Sequence, residues 1–117
     1  MSISKAVNCM KLSTEIFGSV IVIHAPEELN EDNSEQLERF LTSRERQNVI
    51  FDLDGTEAVD SAALNALLDI QDVLREMQGD LKIYTSNSVN QTILRITRLD
   101  QQLEVFESII DAVKSFK

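Results

Sequence analysis

Short apolar runs alternate along this chain with longer segments whose apolar residues recur every three or four positions. The runs at 20–23, 48–53 and 81–85 are rich in aliphatic and β-branched residues, which predicts three buried strands. A weaker strand is predicted at 11–15 and a last short one at 103–106. Because the run at 48–53 is almost continuously apolar, it favours a sheet that is covered on both faces.

Four helices are predicted between and after these strands. The first begins at Glu31, with Asn30 as its cap, and ends at about Thr42. The strongest helix follows the second apolar run, begins behind Asp60 as its N-cap, and is ended by Gly79. Its apolar stripe consists of Ala63, Ala66, Leu67, Ile70, Val73, Leu74 and Met77. A third helix follows Ser88, and a fourth lies at the end of the chain. The inward residues of the fourth are Ile109, Ile110, Val113 and Phe116.

The alternation of strands and helices predicts an α/β fold. Right-handed connections between parallel strands would give a mixed, mainly parallel sheet of four to five strands with about four helices. A chain of 117 residues has the size of one ordinary domain. We therefore expect a single domain over 1–117, with its core at about 11–116.

The balance of charges and the single cysteine narrow the classes of function. A net charge of -9 argues against binding nucleic acid, because that affinity depends on Lys and Arg side chains that neutralise phosphates. No apolar run approaches the roughly 18 residues that cross a bilayer, so we expect a cytoplasmic protein without direct membrane insertion. Cys9 and His24 are each the only residue of their type, which leaves no Cys and His cluster for a metal. We expect no cofactor.

The most conspicuous motif is Asp52-Leu53-Asp54-Gly55-Thr56, at the end of the second apolar run. It resembles the nucleophile motif of the haloacid-dehalogenase phosphatases, whose first aspartate attacks phosphate and whose second is a general acid beside Mg²⁺. Those enzymes also need a downstream lysine and a further acidic pair at a strand end. The segment after position 87 supplies neither in a suitable place. The phosphatase is therefore the less favoured alternative, and we expect the two aspartates to be solvated, with no catalytic or metal-binding role.

A second resemblance extends from about 11 to 116. It is carried, in order, by an early strand pair, the loop Glu28-Leu29-Asn30, the strand 49–53, the pair Asp60-Ser61 and the tail Ile96-Thr97-Arg98-Leu99-Asp100. In this order and spacing the sequence resembles the STAS domain family of bacterial anti-sigma-factor antagonists. The tail is similar to the family's L-x-x-T-G-L-D pattern, which precedes a short strand.

The resemblance implies a signalling function without catalysis. In antagonists of this family the serine that follows the aspartate is phosphorylated, and Ser61 stands at that position. The unphosphorylated domain would bind an anti-sigma factor that is also a serine kinase of the histidine-kinase-like ATPase fold. Phosphorylation would release it, and a PP2C-type phosphatase would restore the serine. The candidate contact surface consists of Asn30, Asp60, Ser61, Ala62, Ala63 and Leu64.

Two features of the candidate contact surface depart from the family pattern. The run from Asp60 to Leu64 lacks the glycine that the family has after its serine, and Asn30 stands where the family has an aspartate. A hydroxyl in the first turn of a helix still suits a phosphate, because the helix dipole favours negative charge there.

STAS domains also serve as accessory subunits of lipid or anion transport complexes, and this is the alternative function.

Overall fold

The computed structural model describes residues 12–42 and 48–116. Its elements are β1 (Thr14–Phe17), β2 (Val20–His24), β3 (Glu28–Leu29), α1 (Glu31–Thr42), β4 (Asn48–Asp52), β5 (Ala58–Val59), α2 (Ser61–Glu76), β6 (Asp80–Tyr84), α3 (Ser88–Ile96), a 3₁₀ turn (Leu99–Gln101), β7 (Val105–Phe106) and α4 (Ile109–Lys114). The predicted α/β fold is confirmed, with four α-helices in these ranges. The strand expected at 11–15 is found at Thr14–Phe17. Residues 1–11 of the expected domain lie outside the described ranges.

Five strands form the main sheet, in the order β1-β2-β4-β6-β7. β1 runs antiparallel to β2 through a tight turn in which Gly18 has a φ of 64°, a left-handed conformation that glycine adopts without strain. The other neighbouring strands are parallel. His24, Asp52 and Tyr84 are paired side by side across three strands. The last residues of the parallel strands therefore form one edge of the sheet, from which the functional loops start.

Both faces of the sheet are covered, as the sequence predicted. Successive side chains of a strand point to opposite faces. Phe51 belongs to the larger core, which includes Leu37 of α1, Leu67 of α2 and Leu94 of α3. Ile50, one residue earlier, belongs to the smaller core beneath α4. The helices α1, α2 and α3 thus share one face, and α4 covers the other.

The smaller core contains a buried lysine that the sequence pattern did not predict. Lys82 on β6 is 6% exposed, and its Nζ donates to the Ser115 hydroxyl at 2.7 Å and to the Ser115 carbonyl at 3.2 Å. The same nitrogen lies 4.3 Å from the ring centre of Phe116 and 3.2 Å from a carboxylate oxygen of Glu104. A buried amino group needs such partners. Lys82 therefore anchors the end of α4 to the sheet.

The end of α2 differs in detail from the prediction. Gly79 donates its N–H to the carbonyl of Leu74 at 2.8 Å, and Gln78 donates to Arg75 at 3.0 Å. These two bonds form a Schellman motif, whose left-handed position is Gln78 with a φ of 68°. Gly79 is thus part of the helix ending, but the residue with positive φ is the one before it.

Candidate functional site

The segments that follow β2 and β4 meet above the edge of the sheet at which the parallel strands end. β3 and β5 form a two-stranded parallel ladder, with Leu29 opposite Val59. The ladder continues where Asp60 donates its backbone N–H to the carbonyl of Leu29 at 2.9 Å. The starts of α1 and α2 therefore lie side by side. The structure brings together Asn30 and Asp60, which the sequence had predicted separately.

Asp60 caps two helices at once. Its Oδ1 accepts the N–H of Ala63 in α2 at 2.9 Å, and its Oδ2 accepts the N–H of Glu31 in α1 at 3.0 Å. The backbone of Asp60 is extended, with φ of -101° and ψ of 174°, as is usual at an N-cap. The first bond was predicted from the sequence. The second was not, because Glu31 is 29 positions away and no local pattern reports it.

Asn30 caps α1 through a reciprocal pair of hydrogen bonds with Asn33. The Asn30 side-chain oxygen accepts the Asn33 N–H at 3.2 Å, and the Asn33 side-chain oxygen accepts the Asn30 N–H at 3.0 Å. The side-chain amide of Asn33 also donates to the carbonyl of Glu28 at 2.7 Å. The predicted cap is confirmed, and it shows that asparagine fulfils this role without a negative charge.

Ser61 is the first residue of α2, and it is exposed. Within 12–42 and 48–116, neither its hydroxyl nor the backbone N–H groups of Ser61 and Ala62 have a hydrogen-bond partner. The next two amides, of Ala63 and Leu64, are bound by the carboxylate and the carbonyl of Asp60. An exposed hydroxyl beside two open amides, at the positive end of a 16-residue helix, can carry a phosphate.

The remaining predicted contact residues differ in their exposure. Ala62 is half-buried, whereas Ala63 and Leu64 belong to the larger core and are 0% and 8% exposed. Ala63 and Leu64 therefore pack the start of α2 against the larger core. The partner-binding role given to Asn30, Asp60, Ser61, Ala62, Ala63 and Leu64 stays a prediction, as does the phosphorylation of Ser61.

Exposed carboxylates surround the two helix starts. Glu57 and Asp60 precede α2, while Glu28 precedes α1, and Glu31 and Asp32 form the first turn of α1. Acidic residues at these positions are favoured by the positive ends of the helix dipoles. A partner that docks at Ser61 thus meets a negative surface before any phosphate is added.

A buried network fixes the loop that leads to Asp60. The side-chain amide of Asn90, on α3, donates to the carbonyls of Leu53 at 2.8 Å and of Thr56 at 3.1 Å. The hydroxyl of Thr56 in turn donates to the carbonyl of Pro26 at 2.8 Å. Both Asn90 and Thr56 are buried. The loops after β2 and β4 are therefore held in register with α3. No pattern in the sequence indicates this network.

The sequence profile of the STAS domain matches residues 11–112. The chain belongs to the STAS domain family. No curated protein matches its sequence. Over the described part of this STAS domain, no helix is long and apolar enough to cross a membrane.

Solved structures with the same fold come from proteins of different kinds. An anti-sigma factor antagonist from Mycobacterium paratuberculosis is 18% identical, with a TM-score of 0.76 over 90% of this chain and 92% of its own. The phosphorylated form of the Bacillus cell fate determinant SpoIIAA is 13% identical, with a TM-score of 0.66 over 92% of this chain and 100% of its own. The murine anion transporter solute carrier 26 family member A9 is 19% identical, with a TM-score of 0.65 over 85% of this chain and 18% of its own. At these identities the likeness shows the fold.

One departure of this STAS domain from the family pattern has a visible structural consequence. Arg98 stands where the L-x-x-T-G-L-D pattern has glycine, and its φ is 64°. The left-handed conformation costs a side-chain-bearing residue about 1–2 kcal/mol. The following Leu99 is buried in the larger core. Arg98 therefore adopts a strained backbone conformation, and the turn that results places the Leu99 side chain in the core.

Asp52 is buried and Asp54 is half-buried, so the expectation that the acidic pair would be solvated was wrong for Asp52. Asp52 is 8% exposed, and its carboxylate lies 2.7 Å from His24 Nδ1 and accepts the N–H of Asp54 at 2.8 Å. Asp54 accepts from the N–H of Ser86 at 2.6 Å and from the hydroxyls of Ser86 at 3.0 Å and Thr85 at 3.1 Å. These carboxylates bind the ends of β2 and β6 to the loop after β4.

The hydrogen bonds at Asp54 also set its ionisation. Burial opposes the charged form, but the hydrogen bonds donated by Ser86, Tyr84 and Thr85 outweigh it and lower the pKa of Asp54 below the ordinary value of 3.8. No group of three or more His, Cys, Asp or Glu side chains in the described ranges could hold a metal ion. His24, whose Nε2 also lies 3.2 Å from Glu15, is a member of this cluster that sequence reasoning missed.

Proposed function

We propose that this STAS domain is an anti-sigma-factor antagonist in a phosphorylation-controlled partner-switching pathway in the cytoplasm. Its unphosphorylated form would bind an anti-sigma factor that is also a serine kinase, and phosphorylation of Ser61 would release that partner. The observation that carries the proposal is the state of Ser61: its hydroxyl is exposed, follows an N-cap aspartate, and lies beside two open amides. The shared fold with an anti-sigma factor antagonist supports it.

The start of α2 can hold a phosphate on Ser61 while the helix stays folded. The phosphate oxygens can accept the open N–H groups of Ser61 and Ala62, which lie at the positive end of the α2 dipole. The cap at Ala63 remains with Asp60, and the buried Ala63 and Leu64 keep the helix attached to the core. The domain would therefore carry the modification as a local change of charge.

Release of the partner would be electrostatic. Phosphorylation adds about -1.5 to -2 charges to a surface that already exposes Glu31, Glu57 and Asp60. A partner that fits against the neutral hydroxyl would then bury an unpaired phosphate, at a cost of about 3–5 kcal/mol. A loss of this size weakens binding by more than a hundredfold.

Three partners belong to the proposal. The kinase would have the histidine-kinase-like ATPase fold and use ATP, a PP2C-type phosphatase would remove the phosphate, and a sigma factor would be set free when the antagonist binds the kinase. The STAS domain itself would contribute no catalysis. Magnesium-dependent hydrolysis of a phosphate ester that disappears in Asp52→Asn would contradict this part of the proposal.

The test is phosphorylation with an anti-sigma-factor kinase of this ATPase fold and ATP, followed by mapping of phosphate by mass spectrometry. We expect one phosphate on Ser61 and none in Ser61→Ala. The matched control is Ser88→Ala, because Ser88 is likewise an exposed first helical residue behind an N-cap, Asn87. Ser88→Ala should be phosphorylated like the native chain. A phosphate on Ser88 in place of Ser61 would refute the assignment.

Binding to the same kinase tests the switch itself. Ser61→Ala should bind as tightly as the unmodified chain, whereas Ser61→Asp should bind at least about tenfold more weakly and the phosphorylated chain more than about a hundredfold more weakly. Equal binding by all of these forms would show that the helix start is not the contact surface.

A second candidate function is that of an accessory domain of a lipid or anion transport complex. The structural likeness to a segment of an anion transporter favours it. Under this alternative the chain would co-purify with membrane transport subunits, and the association would be indifferent to Ser61→Asp. Co-purification with a serine kinase that is lost in Ser61→Asp would exclude it.

A further inference from the structure

We infer that phosphorylation of Ser61 is transmitted to the first turn of α1 through Asp60. The inference rests on the proposed function, because it concerns the same acceptor serine. Its structural basis is the double cap, in which one carboxylate holds the amide of Ala63 at 2.9 Å and that of Glu31 at 3.0 Å. Nothing else among the described residues accepts the Glu31 N–H.

A phosphate on Ser61 would act on Asp60 because the two groups belong to neighbouring residues and are attracted to the same helix start. The phosphate brings about -1.5 to -2 charges next to the carboxylate, and like charges at this separation repel. The open amides of Ser61 and Ala62 attract the phosphate, so it stays at α2. The repulsion between the two groups therefore weakens the hydrogen bonds that the Asp60 carboxylate accepts.

Of its two bonds, the one to Glu31 is the weaker point. The bond to Ala63 is partly buried and lies within one turn of chain, whereas the bond to Glu31 is exposed and joins two separate segments. Water can replace the carboxylate at an exposed amide at little cost, but not at a buried one. When the phosphate arrives, Asp60 keeps the cap of α2 and releases α1.

Loss of the hydrogen bond from Glu31 to Asp60 would alter only the first turn of α1. The reciprocal bonds between Asn30 and Asn33 do not involve Asp60 and keep the cap of the following turn. The first turn carries the exposed carboxylates of Glu31 and Asp32, which the phosphate also repels. A partner would then meet an added charge at α2 and a loosened, displaced acidic turn at α1.

Phosphoserine introduced at position 61 during translation tests the inference without any kinase. Amide hydrogen exchange, followed by NMR, should show the Glu31 N–H exchanging about tenfold faster than in the chain with unmodified Ser61, as expected for loss of a hydrogen bond to a charged acceptor. A phosphate that acted only through space would have the opposite effect, because it repels the hydroxide that catalyses exchange.

The matched variant is Asp60→Asn. Asparagine is an equally good N-cap and keeps one acceptor oxygen for Ala63, but its NH₂ group cannot accept the Glu31 N–H. In this variant the Glu31 amide should exchange rapidly whether residue 61 is serine or phosphoserine. The amide of Val89, held by the Asn87 cap of α3, is the internal reference and should not change.

Two outcomes would overturn the inference. One is an unchanged or slower exchange of the Glu31 amide in the chain with phosphoserine. The other is an equal acceleration by phosphoserine in the native and Asp60→Asn chains, which would show that Asp60 is not the connection. Failure of the proposed function is distinguishable, since it would appear as a kinase that does not modify Ser61, an assay that this experiment does not use.

Discussion

Asn90 donates its side-chain amide to the carbonyl oxygen of Thr56 at 3.1 Å, across 34 positions of the chain. The same amide group donates to Leu53 at 2.8 Å, so one buried side chain of α3 holds both ends of a turn in the loop after β4. This loop leads to Asp60 and Ser61, which lie at the surface. The position of Ser61, the candidate phosphate acceptor, therefore depends on α3, although neither of these bonds involves Ser61 itself.

The stability of the fold should depend on Asn90. Asn90→Ala leaves the carbonyl of Thr56 without a donor and the carbonyl of Leu53 with only the Thr56 N–H, which should lower the free energy of unfolding by about 1–3 kcal/mol. Urea unfolding followed by circular dichroism measures the loss. Asn65→Ala is the control, because Asn65 is exposed on α2 and should change stability by less than about 0.5 kcal/mol. Equal effects of the two substitutions would show that the network contributes nothing.

The left-handed Arg98 predicts a stabilising substitution. Arg98→Gly removes the strain of a side chain at a φ of 64°, while it adds conformational freedom to the unfolded chain. We expect a net gain of about 0.5–1 kcal/mol in the free energy of unfolding.

The control for this prediction is Arg95→Gly, three residues earlier on the exposed side of α3. There the same replacement should cost about 0.5–1 kcal/mol, because glycine is unfavourable within a helix. Thermal unfolding of both variants gives the comparison. A loss of stability in both would mean that Arg98 makes contacts that outweigh its backbone strain.

The lowered pKa of Asp54 predicts a defined pH dependence. A carboxyl group whose pKa is lower in the folded than in the unfolded chain stabilises the fold above the unfolded value, here 3.8, and this contribution disappears as the pH falls through the folded value. The native chain should therefore be more stable than Asp54→Asn at neutral pH. The difference should stay constant down to about pH 4 and shrink below it.

Urea unfolding of the native chain and Asp54→Asn over a series of pH values measures this difference. Glu107→Gln serves as the control, because Glu107 is exposed and has no hydrogen bond or ion pair among the described residues. Its difference from the native chain should stay small at every pH. A difference for Asp54→Asn that grows as the pH falls would contradict the assignment.

The double cap of Asp60 predicts a graded series of stabilities. Asp60→Ala removes the acceptors of both Ala63 and Glu31 and should cost about 1–2 kcal/mol, whereas Asp60→Asn keeps the cap of α2 and should cost about half of that. Asn87→Ala, which removes the cap of α3 alone, should cost about 1 kcal/mol. Urea unfolding of the three variants checks the order. Equal costs for Asp60→Asn and Asp60→Ala would mean that asparagine does not replace the cap.

The periodicity of the sequence was sufficient to predict the α/β fold, the strands at Val20–His24 and Asn48–Asp52, and the start of α2 behind Asp60. These features depend on contacts within a few residues or on one repeated face, which a sequence displays directly. The ladder of β3 and β5 was missed because two-residue strands have no period to detect. The burial of Asp52 was missed because its partner His24 lies on a different strand.

What the sequence determined by itself is the family, the order of the elements, and the position of Ser61 at the first turn of a helix. Only the tertiary structure decided that Asp60 spans two helices, that Asn90 fixes the loop before it, and that Asp52 and Asp54 are bound by protein donors. The physical reason is the range of the interactions. Helical periodicity and caps are local, whereas a buried polar group takes whichever partner the fold brings to it, at any distance along the chain.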